Sequence, residues 1–122
     1  MIRFTSLKKS KDFQKILREK KIINKYFTIF FCKNFLNNKK INEDLNISFV
    51  MKKKVGNAVT RNRIKRKLKS AVQRVAREKQ LIDLNYTYVI FGKNNVYKDK
   101  FELVLNKVDE TFKKINRIEN LQ

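Results

Sequence analysis

Cationic side chains are concentrated in one short stretch of this chain. Six of the nine residues from Arg61 to Lys69 are Arg or Lys, and Asn62 stands between Arg61 and Arg63. Guanidinium groups make paired hydrogen bonds to phosphate oxygens, and an asparagine amide can bond a base edge or a sugar hydroxyl. The spacing therefore predicts recognition of a polyanion, with nucleic acid as the favoured class of ligand.

Residues suited to catalysis are scarce. The chain has no histidine, which removes the commonest general base near neutral pH and the commonest transition-metal ligand. The acidic pairs Glu43-Asp44 and Asp109-Glu110 fall in a predicted loop and on a predicted helix surface, so we interpret them as solvated. Cys32 is the single cysteine, and we expect it to be a small apolar residue in a strand. The sequence thus predicts no catalytic residue, no metal site and no tightly bound cofactor in this chain.

The charge of the whole chain follows the same pattern. Against 11 Asp and Glu, the 31 Lys and Arg give a net charge of +20 on 122 residues. Residues 52 to 77 carry 11 of these cations and no carboxylate. Such an asymmetry creates a directed positive field, whose usual partners are nucleic acid or an anionic membrane surface. No segment approaches the roughly 18 apolar residues of a membrane span, so we expect a cytoplasmic protein with no membrane partner.

The basic stretch is predicted to be a helix that packs on a sheet. After Gly56, apolar residues recur at helical spacing from Ile64 to Val75 and form one face. This face is rich in small residues, which suit packing on a sheet better than insertion into a membrane surface. Arg61 has a wheel angle inside the apolar sector, and we expect it to project past the core edge from the first helical turn.

The remaining periodicities predict an α+β fold in one domain, residues 1–122, with helices against one small sheet in a two-layer sandwich. Helical and alternating patterns follow each other in the order helix, strand, strand, helix, strand, helix. The predicted elements are a helix capped by Ser10 and fading near Lys20, strands at 26–35 and 45–51 joined through 37–40, the basic helix, a strand at 86–91 and a helix from Lys98 onward.

Aromatic residues raise a second possibility for binding. The segment from Tyr26 to Phe31 is apolar on both faces of a predicted strand, so one face remains to be covered or used. A sheet face with exposed aromatic rings beside a basic helix can stack single-stranded RNA bases while cations neutralise the phosphates. The pattern therefore indicates a surface that could bind single-stranded RNA.

Three stretches together resemble a known family. The run Lys53–Val59, followed by Arg61–Arg66, closely resembles the signature of the protein component of bacterial ribonuclease P, and Asp12–Leu17 extends the resemblance towards the N-terminus. The resemblance implies the accessory protein subunit of a ribonucleoprotein endonuclease, which binds a catalytic RNA and the 5′ leader of precursor tRNA. Removal of the leader would be catalysed by the RNA subunit with Mg²⁺.

The resemblance also implies a topology and a set of site residues. A left-handed crossover should connect the second long strand, through the basic helix, to the third. A cleft between the first helix and the sheet should hold the leader, lined by Phe13, Leu17 and Phe30. The RNA-facing residues, carried over by motif and extended along the helix, are Lys53, Asn57, Arg61, Asn62, Arg63, Lys65, Arg66, Lys67 and Lys69.

Other RNA- and DNA-binding functions remain to be compared with this one. A structural RNA-binding protein of ribosomal type would be equally small and basic, and it predicts no effect on tRNA leader removal. A DNA-binding regulator fits less well, because the basic helix lies between strands without the preceding helix and short turn of a helix-turn-helix. We therefore expect no DNA partner.

Overall fold

The computed structural model describes residues 2–34, 44–79 and 81–120. Within these ranges the chain forms five strands and four α-helices, with a short 3₁₀ turn at Lys53–Val55. The strands are β1 (Arg3–Thr5), β2 (Lys20–Ile23), β3 (Phe27–Lys33), β4 (Asp44–Val50) and β5 (Tyr86–Gly92). The helices are α1 (Ser10–Ile16), α2 (Ala58–Lys79), α3 (Asn95–Lys98) and α4 (Phe101–Asn120).

The five strands form one mixed sheet in the order β1-β4-β5-β3-β2. The strand pair β3 and β5 is antiparallel, with Phe27 opposite Gly92 and Lys33 opposite Tyr86. By contrast, β4 is parallel to both of its neighbours, β1 and β5. Parallel neighbours need a crossover connection, and α2 supplies it between β4 and β5. The left hand of this crossover stays a prediction.

Side-chain alternation divides the core between the two faces of the sheet. On one face, Ile29 and Tyr88 belong to the main cluster, which α2 and α4 cover. The Tyr88 ring meets Phe112 of α4 edge to face, with 5.2 Å between the ring centroids. On the other face, Val89 packs with Ile16 of α1 in a smaller cluster. The short helix α1 thus covers part of the second face.

The buried stripe of α2 is the one that its periodicity predicts. Its fully or nearly fully buried residues are Ile64, Leu68, Ala71, Val72, Val75 and Ala76. Small side chains let the helix axis approach the sheet closely, and the cations are left on the remaining surface. This packing orients the basic side chains.

The α+β class predicted from the sequence is confirmed, and the structure adds three short elements. The first helix ends at Ile16 rather than near Lys20, and Lys20–Ile23 forms the edge strand β2. Strands β1 and β2 and helix α3 have three or four residues each, too few for a periodic signal. The residue before α1 is Lys9, which makes no side-chain cap, so the prediction of a cap by Ser10 was wrong.

Two further predictions concern Cys32 and the turn at 37–40. Cys32 lies in β3, half-buried near the smaller cluster, and desolvation by burial raises the pKa of its thiol to about 11. This agrees with an inert, apolar role. The predicted turn at 37–40 and the end of the predicted strand at Phe35 lie outside the described residues.

Candidate nucleic-acid interface

The two residues before the basic helix α2, Gly56 and Asn57, have different structural roles. Gly56 has φ 153°, and a Cβ at this position would lie 3.0 Å from the methyl group of Thr60. The Oδ1 of Asn57 accepts a hydrogen bond from the backbone N–H of Thr60 at 2.9 Å, which caps the helix. Asn57, predicted to face RNA, therefore also determines where α2 starts.

Arg61 folds back over this helix start. Its Nη1 donates to the carbonyl of Gly56 at 2.8 Å, and the side chain is half-buried. A guanidinium group has five N–H donors, so donors remain for a phosphate. Arg61 therefore combines a role in holding the loop before α2 with a position at the mouth of the helix.

Most of the predicted RNA-facing side chains lie on the open surface of α2 and its preceding turn. Asn62, Arg63, Arg66 and Lys69 are exposed, as is Lys53. The Nη1 of Arg63 lies 3.5 Å from the hydroxyl of Tyr97, a long hydrogen bond. None of these cations forms an ion pair with a described carboxylate. They are available to an external anion.

Lys67 differs from the other predicted residues. Its Nζ donates to the carbonyl of Val96 at 2.8 Å and also to the carbonyl of Asp99. These bonds attach α2 to α3 and to Asp99, the residue that follows α3. The structure thus gives Lys67 a role in the fold, and we leave it out of the interface proposed below.

A hydrogen-bonded network around Asp99 stabilises the region that Lys67 contacts. Asp99 Oδ2 accepts a hydrogen bond of 2.5 Å from the hydroxyl of Tyr26, at the start of β3, and lies 3.1 Å from the Nζ of Lys25. Hydrogen bonds from Tyr26 and Lys25 lower the pKa of the Asp99 carboxyl. With Lys67, this network fixes the position of α2 relative to the sheet.

The residues predicted to line a cleft on the second face of the sheet are only partly brought together. Phe13 and Phe30 are both half-buried and pack against the same small cluster. The Phe30 ring lies edge to face with Phe91 at 5.7 Å, and the Nζ of Lys21 lies 5.8 Å from its centroid. Leu17 follows the last residue of α1 and is 40% exposed.

Phe91, in β5, is half-buried on the same face of the sheet as Phe30. The Nζ of Lys52 lies 5.5 Å from its ring centroid, and a cavity of about 380 Å³ opens beside it, lined also by Lys54 and Lys93. The position of Phe91 follows from the pairing of β3 with β5, which places Thr28 opposite Phe91. Alternation within β5 alone does not say which face is covered.

The described residues hold neither a metal-binding cluster nor a membrane-spanning helix. No group of three or more His, Cys, Asp or Glu in this part of the chain is arranged to hold a metal ion. No helix in the described ranges combines the length and apolar character that crossing a membrane requires.

The fold and this surface can be compared with known proteins. A family model described as Ribonuclease P matches residues 1–116. The chain belongs to the ribonuclease P protein family. The resemblance seen in the stretches 12–17, 53–59 and 61–66 is therefore confirmed over nearly the full length.

Individual members of the ribonuclease P family agree in length and fold. The ribonuclease P protein component of Mesomycoplasma hyopneumoniae strain 7448 is 30% identical over 120 residues, covering 98% of this chain and 99% of that protein. The solved ribonuclease P protein of Thermotoga maritima has a TM-score of 0.69 and 26% identity, covering 90% of this chain and 96% of that one. A Staphylococcus aureus ribonuclease P protein mutant with defective mRNA degradation activity gives a TM-score of 0.71 at 25% identity, covering 91% and 87%.

Proposed function

We propose that this chain is the protein subunit of ribonuclease P, which binds the catalytic RNA and the 5′ leader of precursor tRNA and assists leader removal. The observation that carries the proposal is the exposed surface of the N-terminal half of α2, where Arg63, Arg66 and Lys69 form no ion pair with a described carboxylate, in a chain that belongs to this family. Family membership favours this function over a ribosomal-type RNA-binding protein. We place its action in the cytoplasm.

The start of α2 is suited to an RNA phosphate for an electrostatic reason. Helix N-termini carry a partial positive charge, and acidic residues in the first turn usually balance it. The first turn of α2 has no acidic residue, and Arg61 and Arg63 follow it directly. An anion at this end would neutralise both the helix dipole and the arginines. The phosphates of the RNA subunit can supply that charge.

The aromatic face of the sheet is suited to a single-stranded leader. Phe13, Phe30 and Phe91 offer half-buried rings, on which bases of any sequence can stack. Lys21 and Lys52 lie over two of these rings and would neutralise leader phosphates. Holding the leader favours precursor over mature tRNA, because only the precursor has this segment.

Bond cleavage belongs to the RNA subunit in this proposal. Mg²⁺ bound by that RNA would supply the metal chemistry, and the side chains of this chain bind and position the two RNAs. The protein reduces repulsion between two polyanions, since each phosphate contact by Lys or Arg releases condensed counterions.

Reconstitution tests the proposal directly. The protein is added to a bacterial ribonuclease P RNA and a precursor tRNA at low Mg²⁺, and the rate of 5′ leader removal is measured. We expect cleavage to rise on addition of protein and the precursor to bind more tightly than mature tRNA. Cleavage that is unchanged by the protein would refute the proposed function.

A further inference from the structure

A cavity of about 240 Å³ lies beside Ile47–Val50, the part of β4 that extends beyond its pairing with β1. Strand β1 ends at Thr5, opposite Asn46, and no described strand covers the outer edge of Ile47–Val50. Backbone groups at an uncovered strand edge can bond a ligand. Phe13 lines this cavity and also belongs to the proposed leader face, whereas Phe30 and Phe91, the other aromatic residues of that face, do not line the cavity.

Aromatic rings form much of the wall of this cavity. Phe4 and Phe49 are half-buried neighbours, with 5.9 Å between their centroids and 32° between their planes, and Phe13 also lines the cavity. The Nζ of Lys69 lies 6.0 Å from the Phe49 centroid, and Lys65 completes the rim. Aromatic rings beneath lysines are the combination that holds a stacked base and its phosphate.

The N-terminal segment that carries Phe4 is held by hydrogen bonds on both sides of that residue. The backbone N–H of Leu7 donates to the Oγ of Ser48 at 2.9 Å, and the Nε2 of Gln73 donates to the carbonyl of Ile2 at 2.9 Å. These bonds anchor the segment that carries Phe4 to both β4 and α2. A preformed wall lowers the entropy cost of binding a ligand.

The positive charge continues beyond the cavity. Phe4 and Lys69 also line a neighbouring cavity of about 620 Å³, which Arg66 and Arg77 border on the α2 side. Among the described residues, no carboxylate lines either cavity. A phosphodiester chain that leaves the first cavity would therefore meet further cations along α2.

We propose that Phe4, Phe49, Lys65 and Lys69 form a pocket for one unpaired nucleotide of the ribonuclease P RNA, an inference that rests on the proposed function. Bases in an A-form duplex point inwards, so a paired nucleotide cannot stack on Phe49. Both lysines come from α2, which carries the proposed contacts to the RNA subunit. The occupant is therefore a splayed-out nucleotide of that RNA rather than the tRNA leader.

Chemical probing of the RNA subunit in the reconstituted complex tests this pocket. Base reactivity is mapped with saturating wild-type protein, Phe49→Leu, Lys69→Gln and the control Lys114→Gln, a change at an exposed lysine of α4. We expect at least one unpaired base to be protected by the wild type and the control and to become reactive with Phe49→Leu. Loss of aromatic stacking should weaken RNA binding about fivefold or more.

The possible outcomes separate the pocket from the proposed function. Protection that is unchanged with Phe49→Leu and Lys69→Gln overturns the pocket alone, and so does restored reactivity confined to the precursor tRNA leader. A wild-type protein that protects no nucleotide overturns the proposed function as well. Thermal melting checks the fold of Phe49→Leu. If that variant unfolds, Lys69→Gln still decides, because the base that the wild type protects should become reactive with it, whereas a lysine that contacts only a backbone phosphate would leave that base protected.

Discussion

The Nζ of Lys67, in the middle of the basic helix, donates a hydrogen bond of 2.8 Å to the carbonyl of Val96 in α3. A lysine whose sequence neighbours are predicted to face RNA thus holds the fold together. Its neighbour Arg66 is exposed and has no described carboxylate partner. This contrast between adjacent cations provides a direct test of which charges serve stability and which serve RNA binding.

Lys67→Met is expected to lower the free energy of unfolding by about 1 to 3 kcal/mol, because two carbonyl groups lose a charged donor. Arg66→Gln should change stability by less than about 0.5 kcal/mol, as is usual for an exposed site, and should weaken RNA binding. Urea unfolding followed by circular dichroism measures the first effect. The opposite ranking of the two variants would contradict this division.

Asn57→Ala should destabilise the protein by about 1 kcal/mol, since α2 loses the cap on the Thr60 N–H. Asn57→Asp keeps a capping oxygen, so stability should be retained. It also adds a negative charge where RNA phosphates are expected, and affinity for the RNA subunit should fall. Equal RNA affinity for Asn57→Asp and wild type would show that position 57 does not face RNA.

Arg63→Gln should reduce the slope of log affinity against log salt by about 0.7 to 0.9, the value for one lost phosphate contact. Arg63 suits this test better than Arg61, whose bond to Gly56 also supports the helix start. Filter binding to the ribonuclease P RNA at several salt concentrations gives the slope. Lys114→Gln on α4 is the matched control and should leave it unchanged.

Phe30→Leu should weaken binding of precursor tRNA to the holoenzyme by about fivefold or more, because one ring for base stacking is lost. Leucine retains most of the packing against the smaller cluster. Mature tRNA should bind as before. If precursor and mature tRNA lose affinity equally, the assignment of the leader to this face is wrong.

The free energy of unfolding should decrease at acid pH because the Asp99 carboxylate becomes protonated. Hydrogen bonds from Tyr26 and Lys25 lower the pKa of its carboxyl, so its contribution is complete above the unfolded pKa of about 3.9 and is lost as pH falls through the lower folded value. Urea unfolding at several pH values from about 5 to about 2.5, a window on both sides of the unfolded pKa, measures the slope of the free energy of unfolding against pH. Asp99→Asn should show a smaller loss over this window. Identical slopes for the two proteins would contradict the role of Asp99.

The sequence predicted the long elements because each repeats its pattern many times. The 22 residues of α2 and the 20 of α4 contain several turns of apolar periodicity, and the buried stripe of α2 matches the prediction. Strand β2 has four residues, two of them lysines, and it forms only because β3 offers an edge. Long-range pairing of this kind leaves no local signal.

The sequence by itself determined the family, the α+β class and the cationic surface of α2, because charge and periodicity are local properties of neighbouring residues. Only the tertiary structure assigned tasks within that surface. It directed Lys67 into α3, left Phe91 half-buried beside Lys52, and placed Phe49 with Phe4 and Lys69 around a cavity. Each of these depends on contact between segments distant in sequence, and strand register and helix packing bring those segments together.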